Sequence, residues 1–225
     1  MATNEASPRK ALTPPRSAAI AGVLFSVLMG AALIIIRIAV PPYQKDTGEW
    51  ISDASRLGAV SIAVHLVPFA GIAFIWFIGV FRHRVGVLED QFFSSVFLGS
   101  GLLFVASLFA AAALSGALVE TASAKHIDVR GGSEVFYLIR HMLGAYLNIF
   151  AIKMAGVFIM STSTIVWRTK ILPRWLALLG FACAILLLLV ITNWPWIALL
   201  FPLWMLVLSA SILFTEFHPP KEAAV

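Results

Sequence analysis

Disulfides are excluded at the outset, because the 225-residue chain holds one cysteine, Cys183. It lies inside an apolar run, so it says nothing about redox compartment. Charge is also scarce: 12% of residues are charged, where a soluble domain carries about 25%. No catalytic, nucleotide-binding or metal-binding signature is present, which points away from an enzyme and from any cofactor. The most consequential absence is that of Asp and Glu from the core of the long apolar runs. It argues against carboxylate proton relays and carboxylate-based cation coupling.

What remains is overwhelmingly apolar: 60% of residues are hydrophobic and the mean hydropathy is +0.95. The apolar runs reach about 20 residues, the length that crosses a hydrocarbon core of about 30 Å. In lipid every backbone polar group needs an internal partner, so such runs must be helical or closed into a barrel. A barrel requires apolar and polar residues to alternate, and these runs do not alternate. The expected fold is therefore all-α: an integral membrane bundle of six transmembrane helices.

The expected spans are residues 17–36, 58–81, 92–118, a fourth within 134–167, 175–192 and 196–215. Residues 1–16 are polar and proline-containing and read as a disordered tail; residues 216–225 form a second short tail. The first run is too long for a signal-peptide core and is ended by Pro41-Pro42. Asn193-Trp194-Pro195 predicts a tight turn joining the last two spans as a hairpin.

The net charge is +5, but the basic residues lie mainly in flanks and loops. That pattern indicates topology and contact with anionic lipid rather than nucleic acid. Nine basic residues fall on the side of the two termini: Arg9, Lys10, Arg16, Arg82, Arg84, Arg168, Lys170, Arg174 and Lys221. Four fall on the other: Lys45, Arg56, Lys125 and Arg130. The bias places both termini in the cytoplasm. Trp167, Trp175, Trp194 and Trp196 stand at span ends as interface anchors. The larger outer loops are acidic, with Asp46, Glu49, Asp53, Glu120 and Asp128, and Ser133 is placed to N-cap the fourth helix.

Small residues recur every four positions on the first span, at Ala18, Gly22, Ser26 and Gly30. A similar stripe runs through Ser95, Gly99, Ser107, Ala111 and Ser115 on the third. Such stripes let backbones approach closely, either between spans or in a homo-oligomer or membrane-complex interface. Pro68 and Pro202 should kink their helices.

Ionisable groups inside spans are the best functional pointers. Lys153 is the deepest, 14 residues before Trp167, or about 21 Å along a helix. With no intramembrane carboxylate, it needs backbone or side-chain acceptors, an anionic ligand or headgroup, or loss of its proton. His65 and Asn148 lie at a similar depth, so His65, Asn148 and Lys153 can form a polar cluster in the outer half. On an ideal helix, though, Asn148 and Lys153 are about 140° apart and share no face. Residues 134–167 would span about 51 Å as one helix, so this segment must tilt, protrude, or kink at Gly144 or Gly156. Protrusion sets Arg140 and His141 near the level of Arg37, as an outer polar cap. His65 and His141 are the only span histidines, and one of two helix registers would let them ligate a haem.

RTKILPRWLALLGFA, Arg168 to Ala182, resembles the basic, proline-containing cytoplasmic turn of bacterial polytopic membrane proteins of unknown function. GVLEDQFFSSVFLGSGLLFVA, Gly86 to Ala106, is similar to a further block of such proteins. The resemblance implies a bacterial cytoplasmic membrane and no catalytic residues.

The expectation is thus a non-enzymatic, multi-pass protein of the cell membrane. It binds or passes a small or lipid-like, anionic ligand in an outer-half cavity beside His65, Asn148 and Lys153, with Arg37, Arg140 and His141 above. The alternatives are an accessory subunit of a larger membrane complex and a haem-binding redox protein.

Overall fold

A computed structural model describes residues 14–42, 46, 48–85, 91–124, 133–189 and 196–217. The expected tails, apart from the helical residues 14–16 and 216–217, and the Asn193-Trp194-Pro195 turn lie outside these residues. All the regular structure described is helical: α1 (Pro14–Ala39), α2 (Ala54–Val85), α3 (Gln91–Ala124), α4 (Glu134–Gly144), α5 (Ile152–Thr169), α6 (Arg174–Leu189) and α7 (Leu200–Phe217). Short 3-10 turns at Glu49–Ser52 and Ile197–Leu199 precede α2 and α7, and a π-helical segment, Ala145–Ala151, joins α4 to α5.

Five helical stretches are long and apolar enough to cross a membrane, among them the continuous Glu134–Thr169. The expected six are thus found in part, because α6 has 16 described residues, about 24 Å of helix against a core of about 30 Å. The exterior is apolar: Phe69, Trp76, Leu138 and Leu189 are each more than 60% exposed. In water such a surface would aggregate; against hydrocarbon it is the solvated face.

α1 packs on α2 and α7, α2 on α3, α3 on α5, and α5 on α6. Phenylalanines fill the junction. Phe25, Phe74 and Phe158, fully buried, meet Phe104 and Phe201 with ring centroids 4.7–6.2 Å apart. This one cluster therefore ties together α1, α2, α3, α5 and α7, at spacings where edge-to-face pairs are favourable.

Three of the four α1 stripe residues, Ala18, Gly22 and Ser26, are buried inside the bundle. A Cβ at Gly22 would collide with Ser209 Oγ of α7, whereas one at Gly30 would meet nothing within 4 Å. On α3 the close approach falls outside the expected stripe. Gly101 lies against Ile78 and Phe158, while Gly99 faces open space.

The end of the bundle holding Arg82, Arg168 and Arg174 is bound by aromatic and hydroxyl contacts. Arg82 Nε donates to Ser94 Oγ at 3.2 Å, and the Arg168 guanidinium lies 4.6 Å from the Phe93 ring centre. Trp167 and Trp175 are exposed at this end, as interface anchors require. α5 ends at Lys170, which takes the left-handed conformation common after a helix and donates its N–H to the Val166 carbonyl at 3.1 Å. At the opposite end Ser133 caps α4 as expected, its Oγ accepting the Phe136 N–H at 3.2 Å.

Candidate functional site

A cavity of about 340 Å³ opens inside the bundle at the end that carries Arg37. Its walls come from α1, α2, α3, the α4–π–α5 helix, Leu187 of α6, and the start of α7 with the turn before it. Most of the lining is apolar, including Met29, Leu33, Val67, Leu108, Phe104 and Phe201. The last two belong to the phenylalanine cluster, so the cavity ends on that aromatic layer. Arg37, Arg140, His141, Asn148 and Ser115 supply the polar lining.

The π segment shapes one wall. Hydrogen bonds from i to i+5 widen the turn and break the ordinary helical register. It starts just after Gly144, one of the two glycines where a kink was expected. Leu147, Asn148, Ile149 and Ala151 from this segment line the cavity.

Arg140 is tied down. Its Nη2 lies 2.6 Å from Asp46 Oδ2 and 3.4 Å from the Pro41 carbonyl. The Asp46 side chain is 2% exposed, that of Arg140 15%. Asp46 is itself held by its other oxygen, which accepts the Gly48 N–H at 2.9 Å and the Trp50 Nε1–H at 3.0 Å. The first is a side-chain turn two residues on. It is completed by Gly48 at φ 75°, a conformation that glycine adopts without strain. Trp50 is buried and packs with Phe136 and Leu118 in a small satellite core, which anchors this connection against α3 and α4.

Arg37 is different. It is half-buried, lines the cavity, and makes no hydrogen bond or ion pair with any described residue. Arg140 is close enough to act on it electrostatically as a like charge. A half-buried cation without a counter-ion is costly, so Arg37 marks the place where an anion would be stabilised.

Of the six residues singled out in the sequence, Arg37, Arg140, His141 and Asn148 share this cavity. The other two lie elsewhere. Lys153 Nζ donates to the carbonyls of Leu188 and Leu187 at 2.7 and 3.1 Å. Both carbonyls lie in the last described turn of α6. Lys153 is therefore bonded to α6 and does not itself line the cavity, in keeping with the azimuth that separates it from Asn148. His65 is exposed on α2, its Nδ1–H donating to the Ser61 carbonyl at 2.7 Å. The expected His65–Asn148–Lys153 cluster is not assembled, and His65 does not line the cavity that His141 enters.

Asp46 was not singled out as a site residue, and it is the partner that organises Arg140. An Asp two residues before a Gly signals a turn, but nothing local announces a partner nearly a hundred positions away. Asp53 plays a smaller part at the start of α2. Its Oδ1 accepts from Ser55 Oγ–H at 2.8 Å and Ser55 N–H at 2.9 Å, and these bonds hold its carboxyl below the usual range. Among the described residues no group of three or more His, Cys, Asp or Glu could hold a metal ion.

No family model, curated protein or solved structure matches this chain. The functional reading therefore rests on the site itself.

Proposed function

We propose that this is a non-enzymatic, multi-pass membrane protein that binds a small anionic or lipid-like ligand in the cavity between α1, α3, α7 and the π segment. The observation that carries this reading is Arg37, a half-buried cation with no counter-ion among the described residues, lining a mostly apolar cavity. Such a combination suits a molecule with a charged head and an apolar body. The floor of Phe104 and Phe201, backed by Phe25, Phe74 and Phe158, supports binding over passage across the bundle.

In this reading α6 and the residues after it complete a sixth span, and the excess of basic residues near Arg82, Arg168 and Arg174 puts both termini in the cytoplasm. The cavity then opens in the outer half. The resemblance of the Arg168–Ala182 segment supports a bacterial cytoplasmic membrane, with anionic lipid against the basic end. The haem alternative loses support, because only one of the two histidines lines the cavity. The accessory-subunit alternative keeps one specific observation: Gly30 and Gly99, in the small-residue stripes, face open space. A stable stoichiometric partner on native purification, or a homo-oligomer lost on Gly30→Leu, would favour it.

The binding reading is tested by native mass spectrometry of the full chain in phosphatidylcholine nanodiscs. A bound amphiphile is expected, either carried through purification or taken up from added dodecanoate. Ser115→Phe, which fills the cavity from α3, should abolish it. Absence of any bound amphiphile in the wild type, or undiminished binding in the filled variant, sinks the proposal.

A further inference from the structure

We infer that the cavity selects a single-chain amphiphile bearing one negative charge, and that Asp46 sets this charge preference. The inference rests on the ligand-binding reading and specifies its substrate class.

Two guanidiniums, Arg37 and Arg140, line the cavity. Asp46 lies 2.6 Å from Arg140, so one of the two positive charges already has its counter-ion inside the protein. Arg37 has none among the described residues, which leaves one uncompensated positive charge. His141 donates its Nδ1–H to the Tyr137 carbonyl at 2.7 Å, and Glu49 and Glu134 are exposed and do not line the cavity. A monoanionic head, such as a carboxylate or sulfonate, matches Arg37 one to one. A dianionic head, such as a phosphate monoester, brings a second charge toward the Asp46 carboxylate, where like charges repel.

Rigidity turns this balance into selectivity. Asp46 Oδ1 is fixed by the Gly48 N–H and the Trp50 indole, and Trp50 is 3% exposed. The carboxylate cannot swing aside to free Arg140 for a second ligand charge without breaking both bonds. Volume sets the number of chains. About 340 Å³ is near the lower end of small-molecule pockets, which run from about 300 to 1,000 Å³. It suits one chain lying along Met29, Leu33, Leu108 and Phe104, and is too small for the body of a two-chain lipid.

The test uses the full chain in phosphatidylcholine nanodiscs, with dodecanoate, dodecyl phosphate, dodecanol and dodecyltrimethylammonium as probes at mildly alkaline pH. Dodecanoate should bind about tenfold or more tightly than each of the others, the difference that one charge-assisted hydrogen bond makes. Asp46→Asn keeps an oxygen for Gly48 and Trp50 but removes the charge, so it should shift the ratio about tenfold toward dodecyl phosphate. Arg37→Gln leaves the Asp46–Arg140 pair intact and should erase the preference of dodecanoate over dodecanol. That second variant keeps the inference testable if Asp46→Asn does not fold. Equal binding of charged and neutral probes, or an unchanged ratio in Asp46→Asn, overturns the charge selectivity while leaving a ligand cavity standing. Failure of every probe to bind the wild type overturns both.

Discussion

At the level of Phe25, Phe74 and Phe158, five helices meet around aromatic rings that are fully buried, and the interior is closed. Toward the Arg37 end, α1 and α7 lie on one side and the α4–π–α5 helix on the other, with about 340 Å³ between them. Both regions are built from similarly apolar helices, so composition does not explain the difference. Two devices do. The π segment breaks the ordinary register of the fourth long helix where it borders the cavity. At the mouth, guanidiniums stand where the closed region has phenylalanine, and one of them has no partner among the described residues. The closed half is filled by apolar packing, whereas the open half carries a guanidinium without a counter-ion among the described residues.

The sharpest way to break this comparison is to treat the two arginines alike. If they are equivalent structural cations, removing either should cost the same. The geometry says otherwise. Arg140→Met strands the Asp46 carboxylate, 2% exposed, without its partner, and should lower stability by about 3–5 kcal/mol. Arg37→Met removes an unpaired charge and relieves repulsion with Arg140. In ligand-free protein it should leave stability unchanged or higher. Thermal unfolding of both variants in detergent decides the matter, and equal losses would remove the basis for calling Arg37 a ligand-facing residue.

A second comparison splits the α1 stripe between regions. Gly22 lies against Ser209 and Phe77 in the closed half, while Gly30, two turns on, faces open space. Gly22→Ala should lower stability by about 1–3 kcal/mol through overpacking. Gly30→Ala should raise it by about 0.5–1 kcal/mol, since alanine is the better helix former. If instead Gly30→Ala alone weakens the protein or changes its oligomeric state, the stripe serves a partner.

The third concerns Lys153, which the sequence makes the most conspicuous polar group. Its bonds to the Leu187 and Leu188 carbonyls give it a local structural task at the end of α6. Lys153→Met should therefore cost about 0.3–1 kcal/mol and leave amphiphile binding intact. A loss of binding without a loss of stability would return Lys153 to the site.

These cases show what was legible in the sequence. Depth was: counting residues from the span ends put Arg37, Arg140 and His141 at one level, and all three line one cavity. Local backbone chemistry was as well, as the Ser133 cap shows. Azimuth was not. Around α2 apolar residues face both lipid and core, so no periodicity indicated that His65 points outward from the bundle. The π segment has no compositional mark, because Ala145–Ala151 reads as ordinary helix. Long-range partners were hidden for a different reason. Asp46 and Arg140 are 94 positions apart, and Lys153 meets the carbonyls of Leu187 and Leu188 on a different helix.

The smallest expected effect lies at the start of α2, outside the apolar spans. Asp53 is solvent-exposed, and its bonds to Ser55 hold its carboxyl below the ordinary range. A carboxyl whose folded value is depressed contributes stability above its unfolded value and loses it as pH falls through the folded one. Asp53 should therefore help α2 at neutral pH and stop helping at acid pH. The melting temperature of Asp53→Asn should fall slightly below wild type near neutrality and converge with it as the carboxyl protonates. A pH-independent gap would mean that the Ser55 contacts act without the charge. A large gap would mean that this turn, rather than the buried Asp46–Arg140 pair, fixes the α1–α2 connection, and the contrast between a braced Arg140 and an unbraced Arg37 would need a different cause.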